Sequence, residues 1–126
     1  MERQRIMVVD DSQTDQLTTE KLLEGTDYEL VSCCWNGQEA IEEYGTILPD
    51  LVLMDILMPE MDGLEAARII LEDHPDAKIV MISSLCDDDT LDAADAIGVS
   101  GFLSKPLDRE HLLATLEEVL EGEGPC

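Results

Sequence analysis

Five short apolar runs, each followed by a longer stretch of helical periodicity, constrain this chain more than any other feature. The runs are RIMVVD (Arg5–Asp10), YELVSC (Tyr28–Cys33), LVLMD (Leu51–Asp55), KIVMIS (Lys78–Ser83) and GFLS (Gly101–Ser104). Four are nearly continuous in apolar residues rather than alternating, as expected of parallel strands covered on both faces. Between them Leu64, Ala67 and Leu71 recur at helical spacing, as do Leu112, Leu116, Val119 and Leu120. Ser12 and Asp108 are placed to cap the first and last helices. Gly25, Gly45 and Gly98 stand where helices should stop, and Pro49 and Pro75 fall in connections. Five βα units in order predict an α/β fold with a doubly wound parallel sheet. The 126 residues suit one domain over 1–121, with 122–126 (GEGPC) as a flexible tail or the start of a linker.

In an open α/β sheet, ligands bind beyond the carboxyl ends of the strands, near the reversal in strand order. The first run ends in Asp10 and Asp11, the third in Asp55, the fourth in Ser83 and Ser84, and the fifth in Lys105 followed by Pro106. Three carboxylates, a hydroxyl and an ammonium therefore converge on one edge. No glycine-rich phosphate loop is present. Three carboxylates sit close together only if something cancels their charge. A hard cation with oxygen ligands does so, and Mg²⁺ (or Mn²⁺) suits a few carboxylates plus waters and a phosphate. A carboxylate beside a cation, an ammonium and a hydroxyl is well placed to attack a phosphoryl group. Asp55, flanked by Met54 and Ile56 just before a turn, is the expected nucleophile, with an aspartyl phosphate as its product.

The segments VVDDS, DLVLMDILMPEMDGLEA, IVMISS and GFLSKPL, in this order and over essentially the whole chain, resemble the receiver domain of two-component response regulators of the chemotaxis type. That resemblance implies a flavodoxin-like sheet of five strands in the order 2-1-3-4-5, flanked by five helices. It implies that Asp55 is the phosphoacceptor, charged by a phosphohistidine on a sensor histidine kinase. It makes Asp10, Asp11 and Asp55, with the backbone carbonyl of Leu57, the Mg²⁺ ligands. Lys105 takes the role of phosphate-binding lysine, joined to Pro106 by a cis bond. Ser83 and Phe102 take those of the switch hydroxyl and switch aromatic, and Pro59 and Gly63 shape the loop after Asp55. Such a protein is a phosphoacceptor that assists its own phosphorylation and dephosphorylation rather than an enzyme. Two places depart from the commonest family pattern. Leu57 and Leu85 stand where polar groups often guide a hydrolytic water, so a long-lived phosphoform is expected. Phe102 lacks a phenolic hydroxyl.

The formal net charge of −23, from 30 acids against 7 lysines and arginines, argues against nucleic-acid or anionic-membrane partners. No apolar run is long enough to span a bilayer, and the first residues do not read as a signal peptide, so a cytoplasmic location is expected. Cys33, Cys34, Cys86 and Cys126 form no CxxC pair and suggest buried thiols rather than disulfides. Asp50 and Asp62 read as turn residues, His74 as a surface loop residue, His111 as part of the last helix, and Trp35 as a packing residue. The fourth and last helical segments are rich in acids, with Arg109 as the opposing charge. A self-complementary dimer there would bring like charges together, so a monomer with a basic output partner is expected. The output is either that of a stand-alone receiver, a phosphorelay step, or the receiver fragment of a larger multidomain regulator. A small phosphohydrolase of the haloacid-dehalogenase type also uses an Asp nucleophile. Its nucleophile ends the first strand with a second Asp two residues on, whereas Asp10 is followed by Asp11 and Ser12.

Overall fold

The computed structural model describes residues 4–84 and 87–121. Leu85, Cys86, Cys126 and the expected tail lie outside the described residues. The elements alternate in the predicted order: β1 (Gln4–Val9), α1 (Gln13–Leu23), β2 (Tyr28–Cys34), α2 (Gly37–Ile47), β3 (Leu51–Asp55), α3 (Gly63–Asp73), β4 (Ile79–Ser83), α4 (Asp88–Ile97), β5 (Gly101–Ser104) and α5 (Arg109–Glu121). The five strands form one parallel sheet in the order β2-β1-β3-β4-β5. The reversal in that order lies between β1 and β3, which places a crevice at their carboxyl ends.

Strand alternation divides the core into two layers. Met7, Val9, Val52, Met54, Ile79 and Met81 pack with Ala40 and Tyr44 of α2, Ala66, Ala67 and Ile70 of α3, and Ala94 of α4. Ile6, Val8, Leu51, Leu53, Val80 and Ile82 pack with Leu23 of α1 and Leu112 and Leu116 of α5. Every residue of β3 and β4 is buried, which is why those two runs are continuously apolar until the last residue.

Helix ends follow local chemistry. Ser12, Asn36, Asp62 and Asp87 cap α1 to α4, each accepting a hydrogen bond from the backbone N–H three residues on. Asp108 does the same for His111 at the start of α5. Gly98 closes α4 in the left-handed conformation, as expected. Gly45 does not close α2. The helix continues to Ile47 and ends at Leu48, itself left-handed at φ 48°, because the proline that follows disfavours another helical residue there. Asp50 accepts from the Arg5 N–H at 2.7 Å, tying the start of β3 to β1. Cys34 is buried and Cys33 exposed, both free. Burial pushes the Cys34 thiol up to about 11, which keeps it unreactive.

One glycine is required by close approach. At Gly63 an added Cβ would sit 2.1 Å from the Asp55 carbonyl oxygen and 2.9 Å from Ile56 Cα. Its N–H donates to the Ile56 carbonyl at 2.8 Å, so α3 begins pressed against the end of β3. Both neighbours are backbone, with no flexible side chain to yield. Gly63→Ala should therefore destabilise the fold by about 3 kcal/mol or more in urea unfolding. A loss below about 1 kcal/mol would mean that the loop after β3 shifts freely.

Candidate functional site

Alternation carries Asp10 on from Ile6 and Val8, and Asp55 on from Leu51 and Leu53, so both carboxylates lean toward α1 and α5. Backbone bonds pin the three loops. The Asp10 N–H donates to the Cys34 carbonyl, the Ile56 N–H to the Ile82 carbonyl, and the Lys105 N–H to the Ser83 carbonyl, each at 3.0 Å. Asp10 and Asp55 are buried, whereas Asp11 is exposed. One carboxylate oxygen from each of Asp10, Asp11 and Asp55 lies within 4.8 Å of the other two. Three hard oxygen donors, one of them open to solvent, fit a small divalent cation such as Mg²⁺.

The Lys105 ammonium enters the same cluster from β5, and the peptide bond to Pro106 is cis. Its Nζ lies 3.1 Å from Asp10 Oδ2, 3.4 Å from Asp55 Oδ2 and 2.7 Å from Asp15 Oδ2. Burial pushes Asp55 up to about 6; the Asp10 charge adds to this, while Lys105 and a backbone hydrogen bond from Leu57 oppose it. Burial also raises Asp10, against the Ser12 N–H and Lys105. Burial by itself would lower Lys105, but its bond to Asp15 and the charges of Asp55 and Asp10 outweigh that and hold the ammonium well above its ordinary range.

Ser83 is fully buried at the end of β4 and continues the alternation of Ile79 and Met81, which places it on the α3 and α4 side. Phe102 pairs with Met81 and packs partly buried against that same layer. Leu57, in the loop after β3, is 49% exposed. Trp35 corrects the packing expectation: it is 44% exposed at the end of β2. His74 is not a free loop residue but the C-cap of α3, with its ring 4.8 Å from that of Tyr44.

Two site residues were not singled out from the sequence. Asp15 reads there as an ordinary acid in a first helical turn. Gln16 is buried, and its Nε2 donates to the carbonyls of both Asp10 and Cys34 at 2.8 Å, clamping the ends of β1 and β2. The available signal was the buried face of α1, which runs Gln16, Thr19, Leu23 at helical spacing and is polar where it meets the site.

A family model described as the response regulator receiver domain matches residues 6–117. The chain is 34% identical over 114 residues to the chemotaxis protein CheY of Listeria monocytogenes, a match that covers 90% of this chain and 96% of that protein. It is 38% identical over 104 residues to the protein-glutamate methylesterase/protein-glutamine glutaminase of Archaeoglobus fulgidus, covering 81% of this chain and 30% of that protein. Among solved structures it is similar to a chain of the CheX–CheY–BeF3–Mg²⁺ complex from Borrelia burgdorferi, with a TM-score of 0.88, 28% identity, and 92% and 88% of the two chains covered.

A raised carboxylate pKa has a sign in stability. The unfolded Asp55 ionises near 3.8 and the folded one near 6, so its contribution favours the metal-free fold below the first value and is lost as pH rises through the second. Asp55→Asn should therefore stabilise the chelator-treated protein at about pH 8 by about 2–3 kcal/mol, with the gain gone near pH 4. Urea unfolding across that pH range measures it, and a variant no more stable than wild type at the upper end would contradict the assignment.

Proposed function

Because the chain belongs to the response regulator receiver domain family, we propose that it is a phosphorylation-driven switch in a two-component pathway, with Asp55 as its phosphoacceptor. The observation that carries this reading is the Lys105 ammonium set between the buried carboxylates of Asp10 and Asp55, with Asp11 completing a three-oxygen set at the strand ends.

In the transfer, an Asp55 carboxylate oxygen forms a bond to phosphorus while the phosphorus–nitrogen bond to a phosphohistidine of a sensor kinase breaks. The bonding pair stays on the imidazole nitrogen, which takes up a proton from water. Asp10, Asp11, Asp55 and the Leu57 carbonyl would hold Mg²⁺, which when bound neutralises charge on the phosphoryl oxygens. Lys105 supplies the second positive charge, and the Ser83 hydroxyl donates to a phosphoryl oxygen. Movement of Ser83 and an inward turn of Phe102 would carry the change to the surface of α4, β5 and α5. The chain is thus its own acceptor and assists both gain and loss of the group, without multiple turnover on outside substrates.

A cytoplasmic site of action goes with this reading, and no described helix is long and apolar enough to cross a membrane. α4 exposes Asp88, Asp89, Asp92 and Asp95, and α5 exposes Glu110, Glu117 and Glu118 beside Arg109. A monomer that docks a basic output surface on this face suits that charge. A place as one domain of a longer regulator is the second reading, favoured by the Archaeoglobus relative of which the match covers 30%.

Incubation with acetyl phosphate and Mg²⁺ should add one group of about 80 Da by intact mass, dependent on the metal and absent in Asp55→Asn. Continuous phosphate release without an adduct would instead indicate a phosphohydrolase. The half-exposed apolar side chain of Leu57 offers a hydrolytic water no hydrogen bond. Loss of the phosphoryl group should therefore speed up about tenfold in Leu57→Asn, followed by the decay of that adduct. An unchanged lifetime would remove Leu57 as the reason for a durable phosphoform.

A further inference from the structure

Asp15 stands at the third position of α1, three residues after the Ser12 cap, whose Oγ accepts from the Asp15 N–H. In a capping box, the acid at this position folds back onto the N–H of the cap residue. The corresponding acid of α2, Glu39, behaves almost so: its carboxylate accepts from the Trp35 N–H at 2.8 Å, one residue before the Asn36 cap. Asp15 cannot make the same bond, because the Ser12 N–H already donates to Asp10 Oδ1 at 2.9 Å. Its carboxylate is released from the helix and takes Lys105 at 2.7 Å, the shortest of that ammonium's three carboxylate contacts.

Asp15 also differs from the other partners in what it is free to do. Asp10 and Asp55 belong to the three-oxygen set that suits a divalent cation, and Asp15 does not. With that set engaged by a cation, Asp15 is the carboxylate left to Lys105 alone. A cavity of about 320 Å³ lined by Asp10, Asp15, Thr18, Lys105 and Leu107 lies beside the pair, so neither side chain is closed in by the core on that side.

We propose, on the receiver reading above, that Asp15 is a positioning residue that holds the Lys105 ammonium at α1 and competes for it with a phosphoryl group on Asp55. The phosphoryl group brings close to two negative charges. It must draw Nζ away from Asp15 or share it, and the fixed Asp15 charge opposes its arrival as well. Asp15 thus weakens the phosphorylated state and biases the site toward the unphosphorylated one.

The test uses BeF3⁻ as the phosphoryl mimic at saturating Mg²⁺, titrated into the full chain and read by ¹⁹F NMR. Asp15→Asn, isosteric and half-exposed, should bind BeF3⁻ about fivefold more tightly than wild type, the upper range for an ion pair of this exposure. A general loosening of the structure would move affinity the other way, and thermal melts of both proteins establish that the variant is folded. In a Lys105→Met background the same change should give a clearly smaller gain, the through-space part alone, and the difference isolates the part that acts through the ammonium. Equal or weaker binding by Asp15→Asn overturns the competition while leaving the receiver reading in place. An undiminished gain without Lys105 also overturns it, by reducing Asp15 to a through-space charge. Wild type that takes up no BeF3⁻ with Mg²⁺ overturns the receiver reading itself, and this inference with it.

Discussion

Three carboxylates gathered around one ammonium, with a fourth beside two of them, set the terms for the rest of this molecule. Asp10, Asp15 and Asp55 all lie within 3.4 Å of Lys105 Nζ, and Asp11 joins the first and third at the open side. Buried like charges at this spacing repel strongly where water is scarce, and one lysine cannot balance them. Burial pushes the Asp55 carboxyl up to about 6, and the Asp10 charge adds to that push. A site in this condition has an unmet demand for positive charge, and a divalent cation answers it. The same excess makes the cluster responsive: anything that adds cation or anion there changes which groups Lys105 holds.

The sheet makes that cluster possible by fixing backbone before side chains. Asp10, Asp55 and Lys105 each stand at a strand end tied to its neighbour by a hydrogen bond, and Gly63 lets α3 close directly over the last residue of β3. Alternation then assigns two audiences to one event. Asp10 and Asp55 face the layer of α1 and α5, while Ser83 and Phe102 belong to the layer of α3 and α4. On the receiver reading, a phosphoryl group on Asp55 is felt on both sides of the sheet, through Lys105 and Asp15 on one and through Ser83 on the other.

The outer surface extends the same charge logic. Among the described residues α4 and α5 expose acids with little to oppose them, a charge that on the proposed reading disfavours pairing of two copies through this face and suits a basic partner. Surface pairs such as Arg68 with Glu72 add little to stability, whatever their distance. The two buried layers hold the fold.

The continuous apolar runs and capped helices were enough to determine the alternation of elements, because burial on both faces leaves a one-dimensional signature. That Asp10, Asp11, Asp55 and Lys105 come together could be read from the sequence because each stands at or just beyond a strand end, and strand ends in a parallel sheet meet at one edge. The close of α2 lies beyond Gly45, because the helix runs on to Ile47 and is stopped by Pro49, about one turn after the glycine. Trp35 could not be placed either, since an aromatic at a strand end looks alike whether packed or exposed. What only the tertiary structure decided was the company of Asp15 and Gln16. Both sit on a helix whose sequence reads as polar and solvated. Their roles come from which way α1 packs across β1, and from the prior use of the Ser12 N–H by Asp10. Local sequence encodes strand ends and caps, but a competition for one ammonium exists only once three separate strands and a helix have been brought to the same few ångströms.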